Sequence, residues 1–131
     1  MALRVVRLGT PRLPREGLRI GTVRRPPRGV AKERFAADDW YDVWLPQLAP
    51  SSELVLQARS AATPAGWRAF VRAYRSEMGA ADNARLIALL AALSHVTDLS
   101  IGCYCEDESR CHRSVLSELL AEAGAAVSGG S

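Results

Sequence analysis

The sequence predicts an α/β fold, with a small, mostly parallel sheet flanked by helices on both sides. Three observations point there. Leu99, Ile101, Cys103 and Cys105 alternate with Asp98, Ser100, Gly102 and Tyr104, the two-residue period of a strand. Beyond them Val115, Leu116, Leu119, Leu120 and Ala123 fall at helical spacing, with Gly124 where a C-terminal cap belongs. Two further strand-like runs open the chain, and two apolar helical stripes lie between residues 63 and 94.

In order, Leu3–Leu8 reads as a strand that ends at Gly9-Thr10-Pro11. Residues 12–17 read as a flexible or partly extended loop, and Leu18–Val23 as the second strand. Arg24-Arg25-Pro26-Pro27-Arg28-Gly29 must then leave the sheet, because proline cannot extend a ladder. Residues 30–37 suit a short helix or turn. Trp40 and Trp44, four apart, share a face if that segment is helical; such a pair walls a pocket or, more often, joins the core. Ser51 caps a short helix reaching about Arg59. Thr63 followed by Pro64 starts a longer one, whose stripe of Trp67, Phe70, Val71, Tyr74 and Met78 suits core packing. Arg68, Arg72 and Arg75 line its solvated face. Asp82 is expected to cap the next helix, Asn83–Ser94, with His95 at its carboxyl end.

Composition narrows the class. The chain has 131 residues, 48% hydrophobic and 24% charged, which suits one soluble globular domain over residues 1–124 with a flexible tail at 125–131. Met1-Ala2-Leu3-Arg4 leads straight into a charged strand, and the longest apolar run, Leu86–Leu93, is too short to span a bilayer. With three cysteines, an odd number, a reducing cytoplasmic setting is expected and no membrane association. Charge is uneven. Residues 1–34 carry ten Lys and Arg against Glu16 and Glu33, whereas residues 35–131 carry seven against twelve acidic groups. A basic third of this kind suits a polyanion, or else arginines that simply flank strands. Without interleaved aromatic residues, any nucleic-acid binding there should be weak and salt-sensitive.

All three cysteines and one of the two histidines lie between residues 103 and 112. Cys111, His112 and Arg113 stand at the start of a helix that follows a strand, the edge of an α/β sheet where ligands bind. Unpaired N–H groups and a partial positive charge there favour a thiolate and an anionic ligand. Cys111, His112 and Arg113 are therefore the catalytic candidates, with Cys111 expected to be the most reactive thiol and Cys103 a core residue. Arg24, Arg25, Arg28 and Gly29 of the basic loop, with Tyr104 and Cys105, are the ligand-binding candidates, since guanidinium groups pair with phosphate or carboxylate. Cys103, Cys105, Cys111 and His112 would together suit zinc or iron. Their spacing differs from a common zinc knuckle, so the metal reading ranks below the thiol one and no cofactor is expected.

The strand ending in Cys-x-Cys, the acidic residues 106–108 and the Cys-His-Arg helix start together resemble the family catalogued as domain of unknown function 488, which includes the YeaO-like proteins. Pro26-Pro27-Arg28-Gly29-Val30 resembles its Trp-Pro-Arg-Gly-Val segment, and Leu48-Ala49-Pro50-Ser51 its Leu-Ala-Pro-Ser block. Trp67–Met78 resembles its aromatic, arginine-rich helix. The likeness runs from about Leu3 to Ala123 and implies a cysteine-containing branch, since the YeaO branch carries Asn-His-Ala in place of Cys-His-Arg. It implies a three-layer, Rossmann-like fold. The expected function is binding of a small anionic or nucleotide-like ligand, with thiol-dependent chemistry. The alternatives are a non-catalytic nucleic-acid-binding module and a Cys/His metal site.

Overall fold

A computed structural model describes residues 1–60, 63–105 and 111–128. The acidic residues 106–108 lie outside them, as do Arg110 and the end of the tail. Four strands form an all-parallel sheet: β1 (Leu3–Arg7), β2 (Leu18–Gly21), β3 (Val43–Trp44) and β4 (Leu99–Cys103), in the order β1-β4-β2-β3. The last strand in sequence lies between the first two. Val5 and Ile20 both pair with Ile101, and Gly21 pairs with Trp44.

Four helices surround the sheet: α1 (Ser52–Ser60), α2 (Pro64–Met78), α3 (Ala81–Leu93) and α4 (His112–Glu122). Phe70 and Tyr74 from α2, Ile87 and Leu90 from α3, and Leu116 and Leu120 from α4 pack with Leu3, Val5, Ile20, Leu99 and Ile101 in one core. Each such side chain, fully buried, contributes roughly 1.5–3 kcal/mol. Alternation turns Arg19, Ser100, Gly21 and Gly102 to the other face. Tyr41 and Leu8, from outside the strands, pack against that face. The fit is close: a Cβ on Gly21 would lie 2.4 Å from the Tyr41 ring, and one on Gly102 would lie 2.7 Å from Leu8.

The same face hides charge that the sequence reading leaves in a loose loop. Arg19 is 0% exposed and Glu16 2%. Arg19 Nε donates to Glu16 Oε2 at 2.6 Å and its NH2 to Oε1 at 2.8 Å, while Ser100 donates to Glu16 Oε2 at 2.8 Å. Arg19 NH1 donates to the carbonyls of Thr10 and Asp39 at 2.8 and 2.7 Å. A buried ion pair of this kind persists only when its remaining hydrogen-bonding capacity is also met.

Three local expectations are corrected. Trp40 and Trp44 do not share a helical face, because pairing with Gly21 places Trp44 in β3, where its Nε1 donates to the Val23 carbonyl at 2.8 Å. The N-cap of α3 is Ala80, where the backbone turns extended; Asp82 sits in the first turn. His95 Nε2 lies 2.7 Å from the carbonyl of Gly124, past the end of α4, instead of capping α3. Thr63 does cap α2, accepting from Gly66 N at 3.0 Å. Residues 125–128, the start of the expected tail, hydrogen-bond along Leu3 and form a parallel bridge at Val127.

Candidate functional site

The site lies at the carboxyl edge of the sheet, where β4 stops between β1 and β2. Cys103 is the last residue of β4 and is buried in a small cluster with Leu8, Val23, Tyr41 and Cys111, apart from the main core. Cys111 is the N-cap of α4, with extended backbone at φ −122° and ψ 146°, and His112 and Arg113 open the helix. The fold thus returns the chain to the strand it has just left. Cys103, Cys111 and His112 have their ligand atoms within 4.8 Å of one another.

His112 is fixed by the neighbouring strand. Its Nε2 donates to the backbone carbonyl of Thr22 at 2.6 Å, since a carbonyl can only accept. Nδ1 is therefore the nitrogen with the free lone pair, and it faces Cys111 Sγ at 3.8 Å. The ring of Tyr74 packs edge-on against the imidazole with centroids 5.7 Å apart, and Tyr74 Oη donates to the Leu48 carbonyl at 2.7 Å. Burial pushes the His112 pKa down to about 4, so the ring is neutral at physiological pH.

The three thiols divide the charge unequally. Hydrogen bonds from Cys103 and Cys111 drive the Cys105 pKa far below the ordinary thiol range, helped by the positive charge of Arg113. The same sulfur contacts push Cys103 and Cys111 up, with burial acting in the same direction on both. Position and burial give the same order. Cys111 is 2% exposed and Cys105 is exposed. Spacing alone ranks Cys111 first for reactivity; access runs the other way, because the N-cap turn faces the core beneath Leu8, Val23 and Tyr41.

Arg113 is buried at 5% exposure. Its NH1 donates to the Val6 carbonyl at 2.8 Å, while its Nε has no hydrogen-bond partner among the described residues. A desolvated guanidinium N–H left unpaired is costly, of order 1–3 kcal/mol. At the mouth Tyr104 packs edge-on against Trp40, and its hydroxyl donates to the Arg25 carbonyl at 2.8 Å.

The sequence-derived candidates therefore separate. Cys105, Cys111, His112, Arg113 and Tyr104 lie at one place, and Arg25 joins them through its backbone. Arg24 braces a different loop, with its Nε and NH2 donating to the carbonyls of Pro50 and Ala49 at 3.0 and 3.1 Å. Arg28 and Gly29 are exposed, with Gly29 at φ +72°. Sequence reasoning misses Thr22, which acts through a carbonyl that every residue has; it favours a core role for Cys103 while also counting it among four metal-ligand candidates. No periodicity reveals which sulfur Cys103 meets.

Among the described residues no helix is long and apolar enough to cross a membrane. No curated protein and no solved structure matches the chain. A family model, DUF488-N3a, described as the active DUF488-N3 subclade, matches residues 3–124, and the chain belongs to that family.

Proposed function

We propose that the carboxyl edge of the sheet binds a small anionic or nucleotide-like ligand and acts on it through the sulfur–imidazole cluster of Cys103, Cys105, Cys111 and His112. The observation that carries this reading is the unpaired Nε of buried Arg113. A guanidinium held out of water with a donor in reserve is suited to an oxyanion, which it engages more strongly than any neutral acceptor. The first turn of α4 adds its N–H groups and partial positive charge at the same point. Cys105, exposed at the mouth, brings sulfur within reach of what binds there, while Trp40 and Tyr104 offer aromatic surface to a base or ring.

Nucleic-acid binding by the basic amino-terminal third draws less support. Arg4 pairs with Asp98, Arg12 with Asp42, Arg19 with Glu16, and Arg24 with two carbonyls, so much of that charge is already engaged within the fold.

Inorganic phosphate and a nucleoside 5′-monophosphate are the probes, followed by calorimetric titration and by thermal unfolding. The expected result is saturable binding that Arg113→Met abolishes and Arg113→Lys weakens, with the far-ultraviolet circular dichroism of both variants native. Equal binding by wild type and Arg113→Met would overturn the reading. So would saturable binding by neither probe nor by a carboxylate of similar size.

A further inference from the structure

The geometry points to a metal site: we infer that Cys103, Cys111 and His112 Nδ1, with Cys105 closing the fourth position, bind a tetrahedral zinc(II) ion. The inference rests on the reading above for its place in the chemistry, and it says what the sulfurs do there. They act as ligands to a metal.

Four features of the fold carry it. The ligand atoms of the three buried residues already converge within 4.8 Å. Zinc–sulfur and zinc–nitrogen bonds of about 2.3 and 2.0 Å set the edges of a tetrahedron near ~3.5–3.8 Å. The Cys111 Sγ to His112 Nδ1 distance of 3.8 Å is such an edge before any ion enters. Next, His112 is oriented as metal-bound imidazoles are, with its far nitrogen donating to a backbone carbonyl, Thr22 O at 2.6 Å. That bond fixes the tautomer and aims the lone pair of Nδ1 at the sulfurs.

Third, the donor set is right for the ion. Three thiolates and one imidazole suit a borderline-soft cation and disfavour magnesium or calcium. Fourth, the charge is met. Three thiolates and Zn2+ leave one negative charge, and the guanidinium of Arg113 and the amino end of α4 both lie beside it. On binding, each cysteine gives its proton to solvent and its sulfur lone pair to the ion, with no change of oxidation state. Cys105 is the exposed ligand, so it is the position at which a bound anion would compete.

Sequence spacing argues against a zinc knuckle because Cys103 and Cys105 are two apart and Cys111 follows six later. That objection applies to ligands drawn from one tight loop. Here one comes from a strand end, one from two residues beyond it and two from a helix start, and the sheet sets the separation of strand end and helix start.

Cobalt(II), which substitutes for zinc and has visible spectra, is the probe. Titrated anaerobically into the metal-free, reduced full-length protein, it should give one-to-one binding with thiolate-to-cobalt charge transfer and intense tetrahedral d–d bands, reversed by zinc. Cys105→Ser removes an exposed residue and should keep the fold and lose one thiolate's share of the charge-transfer intensity. His112→Gln should shift the d–d bands and weaken binding by at least ~10–100-fold, the loss seen even for outer-shell partners. Arg113→Lys, which tests the anion reading, should keep the tetrahedral spectrum, so the two readings fail separately. Absence of a tetrahedral cobalt spectrum in the folded protein would overturn the inference. A spectrum that is indifferent to both Cys105→Ser and His112→Gln would overturn it equally.

Discussion

Two arginines are buried among the described residues, and they are satisfied very differently. Arg19, on the loop-covered side of the sheet, donates four hydrogen bonds, two to Glu16 and two to backbone carbonyls. Arg113, at the carboxyl edge, donates one to Val6 and leaves Nε without a partner among the described residues. Burial costs both of them the hydration of a full charge. On the Arg19 side the fold itself offsets that cost through a carboxylate. At Arg113 no described carboxylate does so. A saturated arginine holds structure together, and an unsaturated one is left for something that arrives from outside.

The contrast makes its largest prediction for stability. Glu16→Ala should strand the Arg19 guanidinium in the interior and destabilise the protein by about 3–5 kcal/mol, read from denaturant unfolding. Burial would raise the Glu16 pKa, but the hydrogen bonds from Arg19, the Leu13 N–H and Ser100 outweigh it and hold the value below 4.5. The unfolded carboxyl therefore takes up a proton more readily than the folded one. The resulting stabilisation is fully present above pH 4.5 and is lost as pH falls through the depressed folded value. Unfolding curves of wild type should show this acid limb, and Glu16→Ala should lack its share of it.

Arg113→Met should behave in the opposite way. It removes a charge that the fold does not neutralise and strands only the Val6 carbonyl, a cost of about 1–3 kcal/mol. Its effect should fall on ligand binding. If Arg113→Met were as damaging to stability as Glu16→Ala, the two arginines would be doing the same job. The smallest effect belongs to a third, exposed arginine. Arg75 on α2 meets Glu118 and Glu122 of α4, each at 2.9 Å, and holds the Glu122 carboxyl below its usual range. Solvent and salt screen such contacts, so Arg75→Ala should shift the unfolding midpoint least of the three, and less still at high salt.

What was legible in the sequence followed periodicity. Leu99–Cys103 alternates and Val115–Leu120 recurs at helical spacing, so the strand, the helix and the Cys-His-Arg turn between them could be placed, and the turn does stand where ligands meet an α/β sheet. Thr63-Pro64 announced α2 by local chemistry. The failures share a cause. Arg19 reads as an edge charge because its partner, Glu16, sits in a loop three residues earlier, and burial follows only once Ser100 of another strand comes beside them. Trp44 reads as the helical partner of Trp40 until pairing with Gly21 is known. Arg24 reads as a free cation, yet the carbonyls it serves are 25 and 26 residues away. Long-range pairing decided each of these cases, and a single sequence carries no record of it.

The most direct test of the central claim compares the two arginines in one experiment. In 1H–15N spectra the Nε–H resonances of Arg19 and Arg113 can be assigned by the loss of the Arg113 signal in Arg113→Lys and of the Arg19 signal in Arg19→Lys. On titration with inorganic phosphate, the Arg113 Nε–H should move downfield and exchange more slowly with solvent, while that of Arg19, already bonded to Glu16, should stay in place. An Arg113 resonance that phosphate, nucleoside monophosphate and carboxylate all leave unmoved would contradict the account.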